Sequence, residues 1–447
     1  MEWNGTPTEA KDRFVAFDPT TAQLVHVGGG SYGSLYSQNW HVEPRVGFII
    51  DPMGTGNFIL RGGFAIQAEQ PITNPLIQLS ANPPNANPIS FTSSVTTPSV
   101  TFENAANVAG ASTLAPSTVP NTFKDAYVQN YNLNLQFSLN HTTTAQVGYY
   151  GLTSRHLRLT RNLNQPVNGV KPYAAVSSSS LIAAGRALGN ITDYDSDGMS
   201  NYNSLWLIVT KQMGHGLELN SSYVWGKSLD LNSLSTQGVI LPDSNNPSTN
   251  YGASDFDVRH RLVFSGVYAL PVHGNILIRG WQLAGIVQLQ TGNPFSVTTN
   301  LGTNGTAGTI RANESGPVTL ERAFLANGSV QYLPQSICYA ATSGCTFSIP
   351  TGLNARQGRN SIFGPGFENT DLSLSKFFTV YREANLQFRA DAFNLLNHPN
   401  LGQPNLQIVT SGTSVTPGTF GQISSTRFPV GDSGSSRQLQ LSLKLLF

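Results

Sequence analysis

Three acidic residues at alternate positions, Asp193, Asp195 and Asp197, followed directly by Gly198, come closest in this chain to the pattern of a metal site. Carboxylates spaced this way converge on a hard cation, and glycine at the sixth position allows the sharp turn of a calcium loop. The twelfth position should then hold a bidentate Glu; it holds Ser204, and no helical pattern flanks the loop. The other reading is a polar loop that leads into a strand. A second cluster, Asp255, Asp257, Arg259, His260 and Arg261, has the residue types of a proton relay or of an anion site, lipopolysaccharide being one such anion. Alternate positions of a strand share one face, however, so Asp257, Arg259 and Arg261 are placed to pair with one another on a polar surface. Arg389 and Asp391 have the same spacing and the same expectation. No nucleophile–base arrangement stands out, HExxH is absent, and the eight histidines are scattered, mostly in turns such as His141, His215, His273 and His398. Neither enzymatic activity nor a cofactor is expected. Cys338 and Cys345 lie seven residues apart in a polar, Gly-containing stretch. In an oxidising compartment such a pair closes a small surface disulfide; the alternative is two unpaired loop thiols.

The elements that must position these groups are legible from composition and alternation. Charged residues make up 11% of the chain and hydrophobic residues 39%, where a soluble domain carries about 25% charged residues. No stretch approaches the roughly 18 consecutive apolar residues of a membrane helix. A net charge of +1 argues against nucleic acid as a partner. In the last eleven residues, RQLQLSLKLLF, the side chains of Leu439, Leu441, Leu443, Leu445 and Phe447 fall on one face of a strand and Gln438, Gln440, Ser442 and Lys444 on the other. About ten such residues cross a bilayer as a tilted strand.

Eleven segments share this character, near residues 42–50, 57–68, 126–140, 144–159, 203–212, 216–228, 257–270, 278–290, 370–381, 384–396 and 437–447. Their connections alternate. The turns at Asp51–Gly56, His141, Met213–Gly216, Pro271 and Tyr381–Glu383 are short. The loops 69–125, 160–202, 229–256, 291–369 and 397–436 are long and rich in Asn, Ser, Thr, Gly and Pro. Short periplasmic turns and long extracellular loops are the two ends of an outer-membrane barrel. The expected fold is therefore all-β, an antiparallel transmembrane β-barrel in the cell outer membrane. Aromatic residues near strand ends (Tyr149, Tyr150, Tyr223, Trp225, Trp281, Phe377, Phe378 and Tyr381) are expected in interfacial girdles, the alternative being core aromatics of a soluble β protein. Residues 1–41 then read as the remnant of an extracellular loop and 42–447 as the barrel segment. A closed barrel whose ends both lie in the periplasm needs an even strand count. Eleven further strands would give the about 22 of a plugged transporter, so the chain is expected to be the C-terminal half of a larger barrel. The start, MEWNGTPTEAKDRF, has no basic start, apolar core or cleavage site. It is not a signal peptide, which points to a fragment or a misplaced gene start.

Several stretches carry a family resemblance: DRFVAFDPTTAQLV (Asp12 to Val25), EPRVGFIIDPMGTGNFILRGGFAI (Glu43 to Ile66), NYNSLWLIVTKQMGHGLELNSSYVWGKSLD (Asn201 to Asp230), SDFDVRHRLVFSGVYALP (Ser254 to Pro271), GWQLAGIVQLQTGNPFSV (Gly280 to Val297) and LQFRADAFNLLNHPNLGQPN (Leu386 to Asn405). In order and through to the terminal Phe, these resemble the barrel of TonB-dependent receptors of the Oar-like type. The resemblance implies ligand binding and uptake at the outer membrane, with an extracellular ligand that the sequence does not specify. It implies that Leu439, Leu441, Leu443, Leu445 and Phe447 form the signal read by the barrel assembly machinery, and that lipid and lipopolysaccharide surround the strands. TonB would act only through an N-terminal plug; neither that plug nor the N-terminal regulatory-like β domain of such receptors is visible in this sequence. The alternatives are a non-transporting adhesin or glycan-binding β protein, and a passive porin.

Overall fold

Alternation turns into a meander. In the computed structural model eleven long strands follow one another: β1 (Arg45–Ile50), β2 (Phe58–Ala68), β3 (Tyr127–Asn140), β4 (Thr143–Asn162), β5 (Thr192–Gly214), β6 (Leu217–Asp230), β7 (His260–Ala269), β8 (Trp281–Gln290), β9 (Phe367–Tyr381), β10 (Ala384–Phe393) and β11 (Gln438–Leu446). The structure describes all residues other than 29–31, 36–39, 70–72, 87–112, 235–238, 240, 301–309, 316–317, 341–343, 354–356, 382–383 and 428–435. Parts of the expected long loops, and Arg382 and Glu383 of one expected turn, lie outside the described residues. Each strand pairs antiparallel with the next in sequence, and the short strands Ser117–Thr118 and Gly252–Ala253 join β5 and β6 to complete a 13-stranded sheet. Successive connections of such a meander lie at opposite ends. All the short turns therefore fall at one end of the sheet and all the long loops at the other.

Local chemistry explains the tight ends. His215 and Gly216 between β5 and β6 both have positive φ, +53° and +79°, the backbone of a two-residue turn that matches strand twist. A Cβ on Gly216 would stand 2.9 Å from the Ala269 carbonyl oxygen, so glycine is required there twice over. Among the described residues β1 pairs only with β2, and β11 only with β10.

The two faces of the sheet differ as the alternation demands. One rung of the apolar face runs Leu133, Tyr149, Leu205, Trp225 and His260; the adjacent polar-face rung carries Asn134, Gly148, Trp206, Val224 and Arg261. Apolar-face residues such as Leu133, Phe264, Leu439 and Leu441 are exposed, the reverse of a soluble sheet and the normal state of a surface solvated by lipid. Aromatic groups mark both margins. Trp281 and Phe388 meet edge to face at 6.1 Å at the short-turn end, with the Lys376 ammonium 5.2 Å from the Trp281 ring. At the long-loop end Trp225 stacks on His260 at 6.4 Å. His260 and Tyr268 are eight residues apart on β7, about 26 Å of strand, which matches the apolar band of a barrel. Tyr150 is a correction: it faces the polar side and packs on Trp206 at 4.8 Å.

Nearly all the buried apolar side chains lie off this sheet, in the loops. Residues 15–18 and 23–26 form a hairpin whose first strand is buried on both faces. Ala16 packs with Leu35, Leu76, Leu79 and Tyr194, while Val15 and Phe17 pack with Leu114, Val176, Leu188 and Ile191. This first cap draws on Phe14, the hairpin, Val27, Tyr32 and Leu35, and on described residues of the loops before β3 and β5. A second cap joins the β8–β9 loop to the β10–β11 loop: Phe295, Val297, Val330, Tyr332, Phe347, Ile408, Phe420 and Ile423 share one core. Val330–Gln331 bridges the two loops by pairing with Gln422–Ile423. Among the described residues no helix is long and apolar enough to cross a membrane.

Candidate functional site

The long-loop end carries the candidate chemistry. Strand β5 begins at Thr192, so Asp193, Asp195 and Asp197 stand in a strand and not in the loop expected from their spacing. Gly198 makes no sharp turn; it sits at a register shift between Asp195 and Ser200 against β4. Both faces of β5 are wet or packed against the first cap at this level, so the sequence shows no alternation to reveal the strand. The three carboxylates surround one guanidinium: Arg161 of β4 bonds Asp195 and lies 3.4 Å from Asp193 and 3.8 Å from Asp197. That group supplies the positive charge a calcium ion would have brought, and a cation entering here would have to displace it. Among the described residues no group of His, Cys, Asp or Glu is disposed to hold a metal ion. Burial pushes the Asp193 carboxyl up to about 7 against the pull of Arg161. Arg161, Asp193 and Asp195 line a cavity of about 330 Å³ together with Asp18, Thr20, Tyr32 and Thr118.

Ion pairs fasten the caps to the strands. Arg359, from the β8–β9 loop, is buried and donates to the Asp230 carboxylate at 2.5 Å at the end of β6, to Ser233 at 2.8 Å and to Asp255 at 3.1 Å. Asn360 beside it donates to the Ala253 carbonyl and to Asp255, each at 2.7 Å. Asp257 and Arg259 pair at 3.3 Å as their spacing suggests, and Asp257 accepts the Ser228 backbone N–H at 2.7 Å. They precede β7, however, and of the expected five-residue cluster His260 turns to the apolar face, where its Nδ1 meets the Tyr223 hydroxyl at 2.7 Å. On the polar face Arg389 chelates Asp391 at 2.8 and 2.9 Å, near Glu218 and Asp371 around a cavity of about 340 Å³. Cys338 and Cys345 are joined as a disulfide with Cα atoms 5.9 Å apart.

A single open meander with an exposed apolar face and folded loops at one end is the geometry on which the comparisons bear. The model of the family described as outer membrane beta barrel domain matches residues 1–440. The chain belongs to that family. Its place is the outer membrane, and the apolar face of the barrel sheet is the lipid face. No curated protein matches the chain. Among solved structures it is similar to the outer membrane transporter YddB from Escherichia coli, with 11% identity over 88% of this chain and 39% of that one and a TM-score of 0.43. It is similar to BauA, the ferric preacinetobactin receptor from Acinetobacter baumannii, with 11% identity over 90% and 36% of the two chains and a TM-score of 0.42. It is also similar to the pyoverdine outer membrane receptor FpvA from Pseudomonas aeruginosa, with 9% identity over 85% and 35% and a TM-score of 0.39. The chain spans less than two fifths of the length of each of these structures.

On β11, Leu439, Leu441, Leu443 and Leu445 are all exposed on the lipid face, and Phe447 is wholly exposed beyond the strand end. Sequence reasoning missed the groups that tie residues 1–41 to the barrel. His41 Nε2 meets the buried Asp125 carboxylate at 2.7 Å and Asn4 donates to the same oxygen at 3.0 Å, just outside the start of β3. No spacing rule connects residues 121 positions apart. The first-cap hairpin did carry a signal, VAFD and QLVH on either side of a Pro-Thr-Thr turn.

Proposed function

We propose that this barrel segment is the C-terminal half of an Oar-like TonB-dependent receptor, and that the two caps form part of the surface on which an extracellular ligand is captured for uptake. The observation that carries this reading is the placement of the buried apolar cores. A passive pore needs only short connections, whereas these loops are built as folded caps around their own cores and pinned to the strands by buried ion pairs. The open edges of β1 and β11 support the half-barrel part of the reading, because each leaves backbone N–H and C=O groups that in lipid cost several kcal/mol apiece unless further strands pair with them. In this reading the barrel assembly machinery engages the strand ending at Phe447, lipid and lipopolysaccharide bathe the apolar face, and TonB acts through a plug carried by another part of the receptor. The motif resemblance from Asp12 to Asn405 supports the Oar-like assignment.

Refolding the 447-residue chain alone in detergent and liposomes tests the reading. The expected product is an open sheet that aggregates or stays protease-sensitive. A monomeric barrel with heat-shifted electrophoretic mobility and steady single-channel conductance would overturn the half-barrel reading and favour a passive pore.

A further inference from the structure

The loop between β6 and β7 is held by both caps. On the first-cap side the buried Gln165 grips its backbone at two points, accepting from the Ser244 N–H at 2.7 Å and donating to the Pro242 carbonyl at 3.3 Å. The Asn162 N–H donates to the Ser244 hydroxyl at 3.0 Å, and the Asn162 side chain accepts the Ile191 N–H of the first-cap core. Leu241 packs with Leu159 of β4 and with Leu231. On the second-cap side Arg311 is buried beside Ala312 of the second core. It donates to the Asn250 side chain at 2.7 Å and to the Thr249 carbonyl at 3.0 Å. Asn360 and Arg359 take hold of Ala253 and Asp255 just beyond. Gly252 lies so close to the second cap that a Cβ would stand 2.6 Å from the Arg359 carbonyl oxygen.

Between these anchors the loop is stiffened by its own bonds. Asp243 Oδ1 accepts the N–H groups of Asn245 and Asn246 at 2.9 and 3.2 Å, and Pro247–Asn250 forms a 3-10 turn whose Thr249 hydroxyl donates to the Asn246 carbonyl at 2.8 Å. Side-chain-to-backbone bonds of this kind fix a short segment in one shape, so it moves as a piece. Arg311 makes the attachment costly to break. Its third bond goes to the Gln357 carbonyl at 3.2 Å, so all three acceptors are neutral and two of them belong to the loop. Lifting the loop would leave a buried guanidinium short of acceptors.

We propose that residues 241–257 act as a strap that couples the two caps, so that a release at one cap loosens the other and the outer face opens as one cooperative body. The inference rests on these contacts and not on the receptor reading.

The test treats intact cells carrying the natural protein with proteinase K and follows each cap separately. Arg311→Met is expected to raise the rate of cleavage between residues 166 and 185, in the first cap, about tenfold, the size of an ordinary coupling between sites. Coupling is reciprocal, so Gln165→Leu should raise cleavage between residues 310 and 362, in the second cap, by a similar factor. Thr410→Ala, which removes a hydroxyl of the second cap away from the strap, should leave the first cap unchanged. First-cap cleavage that stays at the unaltered rate in Arg311→Met would overturn the proposal. If that variant fails to reach the outer membrane, hydrogen exchange of the unaltered protein decides. The amides of Ile191, Ser244 and Ala312 are then expected to open within about tenfold of one another, and a wider spread would mean that the caps open independently.

Discussion

At the scale of single residues, the side chains that matter most are the charged ones taken out of water. Arg359 reaches from a loop to Asp230, both nearly fully buried, and its removal strands a carboxylate at the end of β6. Breaking a buried pair from one side costs about 3–5 kcal/mol. Arg359→Ala is therefore expected to loosen the second cap. Proteinase K treatment of intact cells should cleave the variant between residues 291 and 369 under conditions that spare the unaltered protein. Asp193 makes a second prediction, with the opposite sign from a normal paired carboxylate. Burial raises it from the ordinary 3.8 to about 7, so between those values the folded cap holds a proton that the unfolded chain has released. Stability of the first cap falls as pH rises through that window and levels above it. Asp193→Asn should flatten this dependence, read as the rate of loop cleavage between pH 4 and pH 8. The acidic spacing that pointed to calcium was legible in the sequence; the guanidinium at its centre was not, because Arg161 lies on another strand.

At the scale of elements, the barrel strands were legible where lipid imposes alternation and illegible where it does not. β7 and β8 came out within about three residues of their ends, because every second side chain must satisfy hydrocarbon. The first eleven residues of β5, Thr192 to Tyr202, stand above the girdle, where polar residues suit both faces, and they read as loop. The short cap strands are two to five residues long and escape any periodicity. Turns are the other element that sequence dictates. Gly216→Val combines a φ of +79° with a backbone contact at 2.9 Å, and a side chain in left-handed backbone costs about 1–2 kcal/mol before the clash is added. The expected result is less of the protein in the heat-shifted form on unheated gels, whereas His215→Asn, which tolerates positive φ, should leave that fraction unchanged.

At the scale of the whole molecule, hydrophobicity is turned inside out within the sheet and right side in within the caps. The lipid face of β11 shows what this requires of assembly: Leu439 is 75% exposed, and its neighbours on that face follow suit. On the receptor reading proposed above, deleting Phe447 is expected to lower outer-membrane levels of the protein severalfold, while deleting Gly412 at an exposed loop tip leaves them unchanged; fractionation of the two strains gives the answer. Equal levels would mean that the terminal aromatic is not read during assembly. The second cap adds a matter of timing. Its single core takes residues from Phe295 to Ile423, 128 positions apart, with the β9–β10 hairpin between them. On the receptor reading, those residues cannot meet until both flanking loops have passed to the outer side and the hairpin is in place. Contacts so distant in sequence form late and slowly. On that reading the second cap is the last part of this chain to come into being, completed beyond the membrane after the wall that supports it already stands.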